Sequence, residues 1–429
     1  MNRIFIVATA LFAAATALSQ PARNAIAEIP ERAGGVYYAY PESEITSNND
    51  IPKGYQPFYV SHYGRHGSRF LISDDDYKRV IDCLDAAHAA GALTQKGEYL
   101  RQQLDTIWEE ARGRGGELTP LGARQHHDIA VRMAKNYPQA FAADAEVTAA
   151  STQVMRCAHS MFNFVDGLKE SNPQLDVPME SSARNMYYLC FHTPESGKFN
   201  DHSGPWYQDY KRFKASRTNP ERLVSELFKD KKYVDMWVDT DQLMWDLYYV
   251  AVDVQNMDTT VDLLSLFTTD ELFGLWEVAN FGFFARNSSY VRANGLHTAN
   301  ARNLLNNIIE GADNYISTGK HGATLRFGHD GNIIPLLALI QVANCYSDAE
   351  RPEDLSTQYA DFFVCPMGTN LQFVFFSKGN NRNPDDILVR VLHNENDAPM
   401  PVQTAQTGTK AVYYRWSDMR NFLNSLANN

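Results

Sequence analysis

The 429-residue chain is poor in the features that mark several classes of protein. It holds only five cysteines, Cys83, Cys157, Cys190, Cys345 and Cys365, and no C-x-x-C pair, which removes the common zinc-finger and thioredoxin patterns. An odd number leaves at least one thiol unpaired. Cys345 with Cys365 is the best candidate disulfide, and buried free thiols are the alternative at each position. Basic blocks are also missing. With 39 Lys+Arg against 51 Asp+Glu the formal charge is −12. That sign argues against nucleic acid as a partner and against a polybasic membrane binder. A local cluster of arginines can still oppose the global field and receive an anionic ligand. There is no internal repeat. No long apolar run follows residue 20, so the mature chain is expected to have no membrane span and to be soluble. A composition of 44% hydrophobic and 21% charged residues is that of an ordinary globular protein and excludes disordered and collagen-like classes. Nothing in it reveals the oligomeric state.

What is present begins with an address. Arg3 precedes an apolar run over residues 4–15, and Ala17 and Ser19 suit the small-residue positions of a cleavage site before Gln20. Residues 1–19 are therefore expected to be a signal peptide, and the protein to be exported to the periplasm or beyond the cell. At roughly 150 residues per domain, the length suggests about three folding units, or one large core with an insertion. Strand candidates lie at 57–63, 145–151, 323–327, 371–376, 387–392 and 411–416. Helix signals include Ser73 before Asp74, Asp75 and Asp76, and Thr119 before Pro120, with Leu121, Ile129 and Met133 as one stripe. Further helical character runs over 152–168 and 333–340, and residues 20–50 read as a polar, turn-rich lead-in. From about Asp166 to Lys320 the chain is aromatic-rich and mostly helical, with Leu304, Leu305, Ile308, Ile309, Ala312 and Ile316 on one face of a helix. The expected fold is α/β: a central mostly parallel sheet with flanking helices, plus an inserted mainly helical domain. Residues 20–165 and 321–429 would form the core and 166–320 the insertion.

Three motifs carry chemistry, and each follows a strand candidate, where open α/β sheets bind ligands. In Arg65-His66-Gly67-Ser68-Arg69, two forked guanidiniums that match phosphate oxygens bracket a histidine able to attack phosphorus. The alternative is a basic surface loop with a chance histidine. In Gly328-His329-Asp330 the carboxyl could protonate a leaving oxygen and the histidine could add a donor, although His-Asp is also a common loop dipeptide. In the stretch 151–160, Arg156 could point into the same crevice, or be a solvated helix arginine.

In this order the three motifs, with the helix opening Leu118-Thr119-Pro120-Leu121-Gly122, resemble the histidine acid phosphatase family. This is the second branch of the histidine phosphatase superfamily, which includes acid phosphatases, histidine phytases and multiple inositol polyphosphate phosphatases. The resemblance covers most of the mature chain; the middle matches only in being helical. It implies a phosphomonoester hydrolase with His66 as nucleophile, and Arg65, Arg69, Arg156 and His329 as phosphate ligands. Asp330 would be the general acid, and neither metal nor other cofactor would be needed. Arg184, Lys198, Lys211 and Arg212 lie where the family's substrate-specificity segment begins and are candidate secondary phosphate contacts. The context FYVSHYGRHGSRF is similar to the bacterial inositol polyphosphate phosphatases. Two departures stand out. Phe70-Leu71 replaces the family's usual residue followed by proline. The donor motif is His-Asp-Gly, as in acid phosphatases and many phytases, where inositol polyphosphate phosphatases commonly have His-Ala-Glu. A general acid phosphatase or sugar-phosphate phosphatase, or a non-catalytic binder of anions on the same fold, are the alternatives.

Other features take ordinary readings. His126-His127 is one exposed and one half-buried helix position before it is a metal site. Residues 74–76 start a helix, and Arg112-Gly113-Arg114-Gly115-Gly116 is a flexible loop with a phosphate contact as its second reading. Trp237, Trp245, Tyr248, Tyr249 and Trp276 are core of the helical segment. The proposed chemistry needs His66 neutral and Asp330 protonated. Arginines should push His66 down, and burial or a bound phosphate dianion should push Asp330 up, giving an acidic optimum.

Overall fold

The computed structural model describes residues 21–47 and 49–428; the expected signal peptide, residues 1–19, lies outside them. One eight-stranded sheet organises the chain, in the order β3-β2-β4-β1-β5-β6-β7 with β8 paired to β6. The strands are β1 (Gln56–Arg65), β2 (Glu146–Ser151), β3 (Met179–Glu180), β4 (Gly322–Gly328), β5 (Asn370–Ser377), β6 (Leu388–His393), β7 (Asn396–Asp397) and β8 (Tyr414–Arg415). The expected α/β architecture is present, and its sheet is mixed. β1, β2, β3 and β4 run parallel, joined by long helical crossovers. From β5 onward the pairings are antiparallel, and short connections over 378–387 and 394–395 join β5 to β6 and β6 to β7. In β1 every residue from Pro57 to Arg65 is buried, as in a strand covered on both faces.

Two apolar layers cover the sheet. Tyr59, Tyr63 and Phe375 join one that extends through Trp245, Trp276 and Leu304. Val60, Leu325 and Phe376 join the other with Ile129 and Phe164. Adjacent residues of β1 thus feed opposite layers, as the alternation of a strand requires. The named elements between Ala183 and Thr318 are all helical, including Thr240–Asp253 and Thr269–Asn287. Trp245, Tyr248 and Trp276 are buried as expected, but Trp237 is 72% exposed at the end of a short helix and belongs to no core.

Helix Asp74–Ala89 opens with a reciprocal cap between Ser73 and Asp76, and helix Pro120–Asn136 opens with Thr119 accepting from Gly122. Helices Gln95–Ala111 and Trp416–Ala427 were not anticipated. The second corrects the strand expected at 411–416. Trp416, Met419 and Leu423 share one buried helical face, so the extended stretch stops at Arg415. All five cysteines are free, so the expected Cys345–Cys365 pairing is not formed; the Cys345 thiol faces His393 Nδ1 at 3.8 Å instead. Among the described residues no helix is long and apolar enough to cross a membrane.

The lead-in is more than a polar tether. Residues 32–36 are buried, and Gly35 has φ +55° with the Asp361 carboxylate oxygens 2.6 and 2.7 Å from where a Cβ would sit. Only glycine allows that approach. The turn delivers Tyr37 to the sheet edge described next.

Candidate functional site

Parallel β1, β2 and β4 end in register, Arg65 opposite Gly328 and Ser151 opposite Phe327. The residues that follow, His66, Thr152 and His329-Asp330, therefore emerge at one edge of the sheet. Backbone bonds fix His66 there: its N–H donates to Gly328 O at 3.0 Å, and Gly368 N–H donates to its carbonyl at 3.0 Å. Helix Met155–Ser171 brings Arg156 in from the end of β2, and helix Asp330–Leu339 starts at the acid itself.

His66 is 2% exposed, and its Nδ1 lies 2.9 Å from Gly67 O. A carbonyl only accepts, so Nδ1 carries the proton and Nε2 presents a lone pair. Burial and then the charges of Arg65, Arg156 and Arg69 hold the imidazole well below its ordinary value, as the sequence led us to expect. Arg65 is fully buried and donates to Val36 O at 2.6 Å, Cys365 O at 2.8 Å and Asp330 Oδ2 at 2.8 Å. Arg69 donates to Phe70 O and lies 4.9 Å from the centre of the Tyr37 ring. Arg156 reaches Gly116 O at 3.4 Å. The Nε–H groups of Arg65, Arg69 and Arg156 are all buried without a protein acceptor. The charges of the same three arginines all bear on His66.

His329 stands 5.8 Å from the His66 ring, with Nε2 3.1 Å from Thr152 Oγ1. Burial foremost, with the neighbouring arginines, pushes it down to about 4 although Asp330 opposes them. Asp330 departs from expectation. Burial pushes its carboxyl up, but Arg65, His329 and Arg69 together with the Gly331 N–H outweigh burial, and it lies below the usual aspartate value.

The loop carrying His66 is held by backbone packing. A Cβ on Gly67 would lie 2.4 Å from Gly122 O, and one on Gly122 would lie 2.1 Å from Ser68 O. The glycines let the loop rest directly on the first turn of helix Pro120–Asn136. Gly122→Ala is expected to cost about 3 kcal/mol, since neither backbone can yield, and to depress activity; urea unfolding and turnover of the same preparation test both. Ser68 is tied further: its N–H donates to Gln125 Oε1 at 2.9 Å and its Oγ to Asn256 Oδ1 at 2.7 Å. Asn256 also donates to Tyr37 O, and Asp253 accepts from Leu71 N–H at 3.2 Å and Tyr77 Oη at 2.6 Å. The helical segment thus buttresses the loop through Asp253 and Asn256, both fully buried. No local pattern marked either residue.

Arg65, His66, Arg69, Arg156, His329 and Asp330 are brought together. The four secondary candidates are engaged elsewhere or free of the cluster. Arg184 pairs with Glu180 at 2.6 Å, Arg212 with Asp209 at 3.2 Å, Lys211 lies over Tyr207, and Lys198 is exposed on its own short helix. His126 corrects its expected half-exposure: it is fully buried with Nε2 3.0 Å from Arg65 O, while His127 pairs with Asp128 and Glu170. The 112–116 loop is anchored by Gly113 and Gly115 N–H donating to Asp74, and its Gly116 carbonyl holds Arg156. Cys157 takes the buried free-thiol reading: it packs 3.6 Å from His329 Nε2, and burial pushes its thiol up to about 12. Among the described residues no cluster of His, Cys, Asp and Glu could hold a metal ion.

A buried histidine thus stands among arginines at the carboxyl edge of the parallel strands. Residues 64–394 match the histidine phosphatase superfamily (branch 2), so the chain belongs to that superfamily. It is a phosphomonoester hydrolase of the histidine acid phosphatase type. No curated protein sequence matches it. Among solved structures, it is similar to the Bifidobacterium longum multiple inositol polyphosphate phosphatase in complex with inositol hexasulfate, with 19% identity and TM-score 0.75, covering 91% of this chain and 97% of that one. The phytase from D. castellii is similar at 16% identity and TM-score 0.73, over 93% of this chain and 85% of that one. A Hafnia alvei phytase in complex with myo-inositol hexakis sulphate shares the fold at 14% identity and TM-score 0.53, over 87% and 98%.

Proposed function

We propose that this phosphatase is exported and hydrolyses inositol polyphosphates such as phytate through a phosphohistidine on His66. The observation that carries the reading is the buried His66 imidazole, its Nδ1 held by Gly67 O and the charges of Arg65, Arg156 and Arg69 bearing on it. Inositol polyphosphate phosphatases and phytases among the structural relatives favour the substrate class.

In this mechanism Arg65, Arg69 and Arg156 grip the phosphoryl oxygens, with His329 as a further donor. His66 Nε2 forms a bond to phosphorus as the ester P–O bond breaks. Asp330 gives its proton to the departing alcohol oxygen. Water then attacks phosphohistidine, Asp330 takes back a proton, and inorganic phosphate leaves with His66 neutral again. Positive charge fixed before the reaction stabilises the charge that develops on the phosphoryl oxygens.

Phosphate release from phytate, glucose 1-phosphate and an aryl phosphate, measured from acidic to neutral pH with chelator present, tests this reading. Acidic, chelator-resistant turnover that prefers phytate is expected. Preference for glucose 1-phosphate would assign a sugar-phosphate phosphatase. A maximum at alkaline pH would overturn the roles given to His66 and Asp330.

A further inference from the structure

The backbone of the loop that carries His66 is tied down group by group. Arg65 N–H donates to Thr369 O at 2.7 Å, and His126 Nε2 lies 3.0 Å from Arg65 O. Gly67 N–H donates to Ser160 Oγ at 3.2 Å, and Ser68 O accepts from Thr119 N–H at 2.9 Å. These bonds hold the chain without touching the imidazole. The peptide between Gly67 and Ser68 does both. Its carbonyl, Gly67 O, accepts from His66 Nδ1 at 2.9 Å. Its N–H, on Ser68, donates to Gln125 Oε1 at 2.9 Å.

A trans peptide points its C=O and N–H in opposite directions, and none of the described peptides is cis. Gln125 Oε1 on one side therefore sets where Gly67 O points on the other. That direction matters because the hydrogen bond made by one imidazole nitrogen decides which nitrogen keeps the lone pair. With Gly67 O aimed at Nδ1, the proton stays there and Nε2 keeps its lone pair. If the peptide turned, Nδ1 would lose its acceptor and the proton could move to Nε2, the nitrogen that must attack. The Gln125 amide has one orientation that satisfies its neighbours. Its Nε2 donates to Ser68 Oγ at 2.9 Å, Ser68 Oγ donates to Asn256 Oδ1 at 2.7 Å, and Asn256 Nδ2 donates to Tyr37 O at 3.0 Å. Flipped, the amide would set two donors against each other at Ser68 N–H. Gln125, Ser68 and Asn256 are all buried, so a lost bond is not replaced by bulk water.

We propose that Gln125 is a positioning residue for the nucleophile: through the Gly67–Ser68 peptide, its Oε1 holds His66 in the tautomer and ring orientation that leave Nε2 free to attack phosphorus. The inference rests on the nucleophile assignment above and deepens it. Gln125 touches neither substrate nor reacting atoms. It does for His66 what an orienting carboxylate does behind the histidine of a hydrolase triad, but with a neutral amide and an intervening peptide. Neutrality suits this site. A carboxylate against Nδ1 would favour the imidazolium, which cannot attack, and would repel the phosphate. Asn256 belongs to the helical segment, so the same chain of bonds ties the nucleophile to the packing of that segment.

The test compares wild type with Q125M, Q125E and S68A. It reads kcat and KM on an aryl phosphate, calorimetric binding of inorganic phosphate, and the urea midpoint. It also reads the nitrogen-15 spectrum of histidine-labelled protein, in which the His66 signals are those missing from His66→Ala. Q125M keeps the side-chain length but has no acceptor. It is expected to lower kcat about 10–30-fold with less than about 3-fold change in phosphate affinity. Its His66 proton should move from Nδ1 toward Nε2. Q125E restores an acceptor for Ser68 N–H and should recover kcat to within about 5-fold of wild type. S68A keeps the N–H but frees the Gln125 amide, and should cost about 3–5-fold. If Q125M does not fold, S68A and the wild-type tautomer decide. A wild-type His66 protonated on Nε2 would overturn the positioning role. So would unchanged kcat and tautomer in the variants, or a loss of kcat that follows the loss of folded protein or of phosphate affinity. In each of these cases phosphohistidine trapped from wild type would leave the nucleophile standing. Active wild type that yields no phosphohistidine would bring down both.

Discussion

His66→Ala is expected to lower kcat on every phosphomonoester by about 10⁴-fold or more, since removing a covalent nucleophile eliminates the pathway instead of weakening it. The substitution should leave the fold intact. The His66 side chain makes one hydrogen bond, to the carbonyl of its own neighbour, while the backbone around it is held by Gly328, Gly368 and the Gly67–Gly122 contact. Inorganic phosphate should still bind, because the three arginines remain. A single turnover of wild type quenched in alkali should show a phosphoryl group on His66, and the variant none. Residual activity within about 10-fold of wild type would mean that water attacks the ester directly and that His66 serves only to bind.

How far the sequence revealed this site depended on distance along the chain. The six clustered residues sit in short motifs at strand ends, and strand β1 could be read from the β-favouring Phe58-Tyr59-Val60 and Tyr63 despite Ser61 and His62 between them. The motifs said nothing of what lies behind them. Asp253 and Asn256 reach Ser68 and Leu71 across nearly two hundred residues, and Tyr37 arrives through a turn that looked like a solvated lead-in. Such contacts are set by packing of the helical segment, which carries no local signal. The secondary basic residues were chosen by position in that same segment, and most of them found carboxylates or rings nearby. The antiparallel half of the sheet and the helix after Trp416 were hidden for a simpler reason: short apolar runs do not declare their partners or, near a boundary, their period.

Asp330→Asn is expected to separate substrates by leaving group. Alkyl phosphates depart as strongly basic alkoxides and need a proton in the transition state, so kcat should fall about 10³-fold. Aryl phosphates with acidic phenols depart unaided and should lose about 10-fold or less. The geometry adds a condition on pH. Without substrate, Arg65 Nη2 donates to Asp330 Oδ2 at 2.8 Å, and the surrounding cations hold the carboxyl low despite burial, so the free enzyme keeps the acid ionised through the weakly acidic range. A phosphate dianion on the clamp competes for Arg65 and places negative charge beside the carboxylate; both effects favour its protonated form. The acid is therefore armed by substrate, and the fall of kcat on the alkaline side should lie at higher pH than that of kcat/KM. His66, pushed well below its ordinary value, stays neutral as the pH falls, so the acidic limb should lie well under the usual histidine range. In Asp330→Asn the alkaline limb should vanish from the aryl-phosphate profile while the acidic limb remains. Equal losses on alkyl and aryl esters, with both limbs unchanged, would show that Asp330 does not protonate the leaving group and that its bond to Arg65 serves only to position the clamp.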